Sequence, residues 1–169
     1  LQQRILRRIL KEVSLPDTMF GGVPGRTIAQ NASQHVRQPL VVTLDLKNCF
    51  PSISDKQVFN AFKERVGCST KIASVLTKLT TLQGRLPQGA PTSSALANVC
   101  LLPLCARIYS ICHPRAVEVS FWVDDITLSG EAALEVMEQV VRSIHACGHS
   151  IAQKKVHRMP SCLPQVVTG

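Results

Sequence analysis

The sequence predicts an α+β fold, a ferredoxin-like antiparallel sheet with helices packed on one face. Short apolar, β-branched runs alternate with longer helical patterns, in the order strand, helices, hairpin, helix, strand. This order is typical of a split βαβ arrangement. The chain has 169 residues, of which 45% are hydrophobic, and no internal repeats. It can therefore bury a core of its own.

The chain is basic, with 19 Lys and Arg residues against 11 Asp and Glu residues and a net charge of +8. This charge indicates a polyanionic partner such as nucleic acid. No apolar run approaches the roughly 20 residues that span a bilayer, and no secretory signal opens the chain. We therefore expect a cytoplasmic protein without membrane association. Because the chain begins with Leu and stops directly after an apolar run, we expect it to be an excerpt of a longer protein.

The first 46 residues predict a helix, a loop and a strand. Residues 1–13 place apolar side chains on one helical stripe and basic side chains mostly off it, which predicts an amphipathic helix. The Gly/Pro-rich residues 20–27 predict a loop or hairpin. Residues 40–46 form a nearly continuous apolar run, typical of a strand buried on both faces, and this strand is expected to end at Asp45.

Three helices are predicted between residues 54 and 108. Ser54 and Gln57 form a capping box for the first, and Ser69 caps the second. Residues 83–94 are a loop that leads into the third helix, which Pro103 should kink. The apolar faces of the first two helices are predicted to be Val58, Phe59, Phe62 and Val66, and Ile72, Val75, Leu76 and Leu79.

Two alternating runs, residues 117–123 and 126–130, flank Asp124 and Asp125. A two-residue gap between such runs predicts a tight β-hairpin, here with an Asp-Asp turn. Residues 131–147 predict an amphipathic helix that ends at Gly148, and residues 149–159 begin another extended segment.

The adjacent carboxylates of Asp124 and Asp125 need a compensating charge. At a separation of about 4–5 Å and an effective dielectric constant near 20, their repulsion costs roughly 3–4 kcal/mol. A divalent cation offsets this cost, and Asp45 at a neighbouring strand end would complete an oxygen-rich site for Mg²⁺ or Mn²⁺. Two such ions promote in-line phosphoryl transfer. The alternative is an ordinary hairpin turn whose acids are merely solvated.

Three segments together resemble motifs A, B and C of reverse transcriptases: LVVTLDLKNCFPSIS, RLPQGAPTSSALAN and FWVDDITLSG. The resemblance implies a reverse-transcriptase palm over residues 40–169, partial fingers over residues 1–39 and no thumb. It also implies two Mg²⁺ ions, or Mn²⁺, bound by the carboxylates of Asp45, Asp124 and Asp125 and by the backbone carbonyl of Leu46. Lys155, or its neighbour Lys154, resembles the lysine that protonates departing pyrophosphate.

The same resemblance assigns nucleotide binding to four residues: Arg26, Phe50, Gln88 and Gly89. In this assignment Phe50 excludes a ribose 2′-hydroxyl, Gln88 and Gly89 form the motif B loop, and Arg26 contacts the triphosphate. The alternatives are a core position for Phe50 and a solvent-exposed loop position for Arg26.

Two further segments, NASQH and VTG, resemble patterns of retron reverse transcriptases. They imply RNA binding by Asn31, His35, Val167, Thr168 and Gly169. Asn31 and His35 could instead cap a turn and fill a polar pocket. The chain departs from the family in having Trp122-Val123 where Tyr-Ala usually precedes the motif C aspartates.

The resemblance implies an RNA-directed DNA polymerase of the retron or retron-like bacterial type. Its expected partners are an RNA template, nascent DNA, dNTP and a cognate structured non-coding RNA, and its expected location is the bacterial cytoplasm. Antiviral defence is one purpose that such an enzyme could serve. The first alternative is a catalytically inactive palm-fold RNA-binding module; a palm-fold nucleotidyl cyclase would leave the motif B loop without a role.

Overall fold

The structure is a computed structural model and describes residues 1–168. The strands are β1 (Leu40–Asp45), β2 (Glu118–Trp122), β3 (Asp125–Ser129) and β4 (His157–Pro160). The helices are α1 (Gln2–Arg8), α2 (Ile28–Ser33), α3 (Cys49–Ser52), α4 (Asp55–Asn60), α5 (Thr70–Thr80), α6 (Ser93–Cys112) and α7 (Ala133–Ala146).

The four strands form one antiparallel sheet in the order β2-β3-β1-β4. This is the strand order of a ferredoxin-like sheet, so the predicted fold class is confirmed. The central strand β1 is buried along nearly its whole length. Its apolar composition is therefore explained by neighbours on both sides and on both faces.

Side chains alternate between the two faces of the sheet, and the strand register shows which of them share a face. Thr43 and Asp45 in β1 lie opposite Thr127 and Asp125 in β3. Ser120 in β2 lies opposite Thr127 and therefore belongs to the same set. One face of the sheet thus carries a patch of polar side chains that ends at two carboxylates.

The chain divides into two compact units. One comprises residues 1–16 and 48–102, and the other comprises residues 17–47 and the chain from Pro103 onward. The whole sheet lies in the second unit. The division into fingers and palm that the sequence suggests stays a prediction.

In the first unit, the predicted helix starts agree with the structure. The Ser54 hydroxyl accepts a hydrogen bond from the Gln57 amide and the Gln57 side chain faces back to the Ser54 backbone, which forms the predicted capping box. Ser69 caps α5 through the Ile72 amide. The helix predicted for residues 1–13 is shorter, since α1 ends at Arg8 and a separate 3₁₀ turn follows.

The buried face of α5 differs from the prediction. Ile72, Val75 and Leu79 are exposed, whereas Thr77 and Thr80 are buried. Each threonine hydroxyl donates to a carbonyl one turn earlier in the helix, over 2.7 and 2.8 Å. Because these hydrogen bonds satisfy the hydroxyls, the threonines can be buried without loss.

The hairpin turn also differs from the prediction. Trp122 pairs with Asp125, so the two turn residues are Val123 and Asp124, and Asp125 already belongs to β3. Of the two, only Val123 has a positive φ, of 56°. Such an angle at the first central residue is characteristic of a type II′ turn, where glycine is usual.

Helix α6 corrects the expectation that no apolar segment approaches bilayer length. The helical stretch Ser93–Arg115 has 23 residues, and its most apolar 18 residues have a mean hydropathy of 1.6, enough by length and composition to cross a membrane. Half of its most apolar window is buried inside the protein, and the core helix of a globular protein has the same properties.

Candidate active site

Strands β1 and β3 place Asp45 and Asp125 directly opposite each other. Asp45 is the last residue of β1 and Asp125 is the first residue of β3, and the antiparallel register pairs them. Opposed residues of an antiparallel pair carry their side chains on one face, with Cβ atoms about 4.5–5.5 Å apart. The sheet therefore brings together two carboxylates that are 80 positions apart in the sequence.

Backbone hydrogen bonds on both sides of β1 fix this end of the sheet. The Leu46 amide donates to the Asp124 carbonyl over 2.9 Å, and the Ala152 amide donates to the Asp45 carbonyl over 2.9 Å. The first bond ties the hairpin turn to β1, and the second ties the segment before β4 to β1. Asp124 is thereby held beside the strand end that carries Asp45.

The tip of the hairpin is closely packed and strained. Val123 is β-branched, and a positive φ is sterically unfavourable for such a residue. Gly21 lies against the same turn: a Cβ atom at Gly21 would come within 2.7 Å of the Trp122 carbonyl carbon and of the Val123 amide nitrogen. Only glycine therefore fits at position 21 while the turn keeps its place.

Burial raises the pKa of both hairpin aspartates. For Asp125 the largest cause is desolvation, followed by the charges of Asp124 and Asp45, and the pKa rises to about 6 although the Lys155 ammonium opposes the shift. Desolvation is also the main reason why the pKa of Asp124 is raised. A carboxylate whose charged form is disfavoured in this way is stabilised by a bound cation.

The Lys155 ammonium supplies a positive charge at this site. Its Nζ lies 2.7 Å from Oδ2 of Asp45, which is 8% exposed. The hydrogen bond to Asp45, and then the Asp45 charge, raise the pKa of Lys155. Of the two lysines considered from the sequence, Lys155 is the one that lines the cleft with Asp45 and Asp125.

The carboxylates open onto a cleft of about 540 Å³ on the polar face of the sheet. Its walls lie entirely within the second unit and include side chains from β1, β3 and β4 and from the C-terminal segment. The lining residues beside the acids and Lys155 are Thr43, Leu44, Thr127, His157, Met159, Val166 and Thr168. The cleft therefore joins the acidic strand ends to the segment that contains the VTG residues.

The chemistry of these side chains fits an oxygen-bound divalent cation. Carboxylate oxygens are the ligands that Mg²⁺ and Mn²⁺ prefer, and Lys155 already provides Asp45 with a cationic partner. Within the described residues, no three His, Cys, Asp or Glu side chains converge closely enough to hold a metal ion. The three aspartates are thus neighbours but do not form a closed ligand set in this structure.

The residues predicted to bind nucleotide lie in both units. Phe50 is half-buried in α3, and Gln88 and Gly89 are exposed in the loop before α6, where Gly89 has a φ of 84°. Arg26 donates to Asp17 over 3.0 Å and to the Met19 carbonyl. All four assignments to a nucleotide site stay predictions.

The residues of the NASQH segment are buried. Asn31 is 1% exposed and donates to the Thr168 hydroxyl over 2.6 Å. His35 is 3% exposed, and its two ring nitrogens lie 2.7 Å from the Ser120 and Ser129 hydroxyls. The predicted RNA contacts of Asn31 and His35 stay predictions, and they would require these two buried side chains to become accessible.

The C-terminal tripeptide is only partly described. Val167 and Thr168 are half-buried, and Gly169 lies outside the described residues. RNA binding by these three residues also stays a prediction. The contact between Asn31 and Thr168 nevertheless joins the two segments that resemble retron patterns, although they are separated by 137 positions.

Sequence reasoning missed three residues that shape this site: Gly21, Ser120 and Ser129. The Gly21-Gly22 pair signals a turn but does not indicate which element approaches it. The serines appear in the alternating pattern as ordinary polar strand residues. Only the strand register and the position of α2 reveal that one histidine joins them.

An antiparallel sheet that places acidic residues at adjacent strand ends and in a hairpin fits the palm of a nucleic-acid polymerase. The family model described as reverse transcriptase (RNA-dependent DNA polymerase) matches residues 1–163. The chain therefore belongs to the reverse transcriptase family. Members of this family use divalent metal ions, in agreement with the carboxylates of the site.

Named relatives narrow the resemblance to retron enzymes. Over 86% of its own length, this chain is 32% identical to the retron Se72 reverse transcriptase of Salmonella heidelberg (strain 579083-10). Over 82% of its own length, it is 34% identical to the retron Ec86 reverse transcriptase of Escherichia coli. The predicted resemblance to a retron-like reverse transcriptase is confirmed. The matches span 39% and 43% of those two proteins.

Solved structures agree on the fold. Apo telomerase from Candida Tropicalis, truncated from its C-terminal domain, matches 84% of this chain with a TM-score of 0.55 and 12% identity. Telomerase from Candida albicans, in complex with a fragment of telomeric RNA, matches 78% of the chain with a TM-score of 0.55 and 9% identity. The matches cover 34% and 28% of those chains, and at such identities they support the fold alone.

Proposed function

We propose that this chain is the fingers and palm part of a retron-type RNA-directed DNA polymerase. In this proposal the protein that contains it copies an RNA template into DNA by adding deoxynucleotides to a primer hydroxyl. The observation that carries the proposal is the pairing of Asp45 with Asp125 at the open end of the sheet, with Asp124 in the adjoining turn.

The carboxylates of Asp45, Asp124 and Asp125 and the Leu46 carbonyl would hold two Mg²⁺ ions, or Mn²⁺. When bound, the ions would activate the primer hydroxyl and neutralise the charge that develops on the phosphates. The role of the protein is then to supply position and charge. The raised pKa values of Asp124 and Asp125 support this role, because burial and the neighbouring carboxylates disfavour their charged forms and a bound cation would favour them.

Lys155 has a separate role at the leaving group. Lys155 is protonated at neutral pH and lies beside Asp45. Its ammonium can therefore donate one proton to the pyrophosphate oxygen as the bond to the α-phosphate breaks. The pair with Asp45 raises the lysine pKa, which opposes donation. Release of Lys155 from Asp45 would therefore make it a better acid.

The choice of sugar and template would depend on other parts of the chain. Phe50 would exclude a 2′-hydroxyl, while Arg26, Gln88 and Gly89 would contact the nucleotide. The net charge of +8 favours an RNA template and nascent DNA as partners. A cognate structured RNA bound through the VTG region, and a bacterial cytoplasmic location, complete the proposal.

Primer extension on an RNA template tests the proposal. The full-length protein should extend a primer with dNTPs in Mg²⁺ and should discriminate against NTPs, and Asp125→Asn should abolish extension. Phe50→Ala should retain extension but lose much of the discrimination against NTPs. Template-dependent extension that survives Asp125→Asn would overturn the proposal.

A further inference from the structure

The buried imidazole of His35 connects the two strands of the acidic hairpin. Its Nδ1 lies 2.7 Å from the hydroxyl of Ser129 in β3, and its Nε2 lies 2.7 Å from the hydroxyl of Ser120 in β2. Both serines are nearly inaccessible to solvent. One side chain from outside the sheet therefore holds both strands that lead to Asp124 and Asp125.

The polar atoms of this cluster satisfy one another. A neutral imidazole has one donor and one acceptor nitrogen, and a serine hydroxyl can serve as either, so both hydrogen bonds can form at once. Burial lowers the pKa of His35 to about 4, so the ring is neutral at physiological pH. A satisfied buried network of this kind rigidifies the elements that it joins.

The sheet register connects this cluster to the carboxylates. Ser129 and Asp125 are four residues apart in β3, so their side chains share a face, and Ser120 lies two residues before Trp122, which pairs with Asp125. The hairpin turn between them is strained at Val123. A strained turn keeps its conformation only where its surroundings over-determine it.

Helix α2 is itself fixed at both ends, which makes it a suitable anchor. Thr27 and Gln30 form a capping box at its start. Asn31, one turn before His35, bonds to Thr168 of the C-terminal segment. Asn31 thus lies within α2 and His35 in the turn directly after it, so the helix and its C-terminal end each carry one polar contact.

We propose that His35 is a positioning residue for the metal-binding carboxylates: it acts through Ser120 and Ser129 to keep the β2–β3 hairpin in the geometry that binds divalent cations. This inference rests on the proposed function. It also gives His35 a role that requires no direct contact with RNA. The related contact of Asn31 with Thr168 would extend the same support to the C-terminal segment.

The test compares variants by their affinity for Mn²⁺ alone and by their thermal stability. His35→Phe keeps a ring of similar size but removes both hydrogen bonds, whereas His35→Gln retains a donor and an acceptor. Val140→Ala in α7 is the matched control, because it removes buried apolar volume in the same unit and Val140 is not one of the hydrogen-bonded residues of the cluster. Affinity is read from a Mn²⁺ titration of the full-length protein, and Asp125→Asn shows the loss of the metal site itself.

His35→Phe should weaken Mn²⁺ binding by about tenfold, as is common when a residue that supports a metal ligand is lost, while Val140→Ala should leave the affinity unchanged. His35→Gln and the single variants Ser120→Ala and Ser129→Ala should give smaller losses. This inference would be overturned if His35→Phe and Val140→Ala bound Mn²⁺ with equal affinity. If Asp125→Asn still abolished Mn²⁺ binding in the same experiment, the proposed function would remain intact. Unchanged binding in Asp125→Asn would overturn the proposed function as well. If His35→Phe fails to fold, the serine variants decide by the same comparison.

Discussion

Asp45 and Asp125 face each other across two adjacent antiparallel strands, with Asp45 also bonded to the Lys155 ammonium over 2.7 Å. The strands hold the backbones of the two acids together although their charges repel. The repulsion between the two carboxylates therefore lowers the free energy of unfolding, and a bound cation would raise it again.

The first prediction concerns this cost. In metal-free solution at pH 7, Asp125→Asn should stabilise the protein by about 1 kcal/mol after allowance for partial exposure, which corresponds to a rise of about 3 °C in melting temperature. The reason is that burial and two neighbouring carboxylates disfavour the charged form of Asp125. Thermal unfolding followed by circular dichroism measures the change.

Glu138→Gln serves as the control for Asp125→Asn. Glu138 is exposed on α7 and pairs with Arg142 over 3.5 Å. Its replacement should change stability only slightly, as is usual for an exposed ion pair. A lower melting temperature for Asp125→Asn than for Glu138→Gln would show that Asp125 is not under electrostatic strain.

The second prediction concerns the pH dependence of stability in the absence of metal. The folded-state pKa of His35 is about 4, below its ordinary value of 6.5. Between these two pH values the unfolded chain binds more protons than the folded chain, so His35 lowers the free energy of unfolding as pH falls from about 6.5 to 4. The folded-state pKa of Asp125 is about 6, above its ordinary value of 3.8, so its contribution weakens the fold as pH rises from about 4 to 6. The two effects oppose each other.

The variants separate these contributions. The stability of Asp125→Asn should increase with pH between 4 and 6.5, because the His35 contribution remains. The stability of His35→Phe should decrease with pH between 4 and 6, because the Asp125 contribution remains. The stability of the starting protein should vary less with pH than that of either variant. Urea unfolding at several pH values measures the slopes. Parallel slopes in the two variants would contradict the burial assigned to His35 and Asp125.

The third prediction concerns the competition between Lys155 and a metal ion for Asp45. Lys155→Gln removes the ammonium from the Asp45 carboxylate, so Mn²⁺ should bind about threefold more tightly, while the rate of primer extension should fall because the proton donor is lost. Lys154→Gln is the matched control one residue away and should leave Mn²⁺ affinity unchanged. Mn²⁺ binding that weakens in Lys155→Gln would argue that the lysine supports the metal site.

The fourth prediction concerns the packing of Gly21 against the hairpin. Gly21→Ala would put a Cβ atom 2.7 Å from the backbone of Trp122 and Val123, so the turn must move. A displacement of about 1 Å at such a site can lower activity about 100-fold. Primer extension at saturating dNTP measures the effect.

Val123→Gly provides the comparison for Gly21→Ala. Glycine accepts the positive φ of the turn without strain, so this variant should be more stable by about 1 kcal/mol. If Gly21→Ala retains full activity, the close approach of position 21 to the turn does not control the site.

Local patterns in the sequence predicted much of this fold. The capping box of Ser54 and Gln57 depends on residues three positions apart, and the burial of β1 follows from its apolar composition. The closeness of Asp45 to the hairpin acids also followed from its place at the end of a strand. These features require only short-range geometry or the rule that acids at adjacent strand ends share an edge.

Other features depend on contacts that no local pattern encodes. The turn lies at Val123 and Asp124 because the tertiary packing tolerates a valine at positive φ. Thr77 and Thr80 replace apolar residues on the buried face of α5 because helix carbonyls satisfy their hydroxyls. The role of His35 emerges only when three segments distant in sequence come together.

The most direct measurement is a Mn²⁺ titration of the full-length protein and of its Asp45→Ala variant, in which electron paramagnetic resonance detects the free and bound Mn²⁺. Asp45, Asp124 and Asp125 are proposed to share their cations, so the starting protein should bind Mn²⁺ with an affinity that falls below about pH 6, as Asp125 becomes protonated. Asp45→Ala should lose this binding. Equal Mn²⁺ binding by both proteins would contradict the assignment of a shared metal site to these three aspartates.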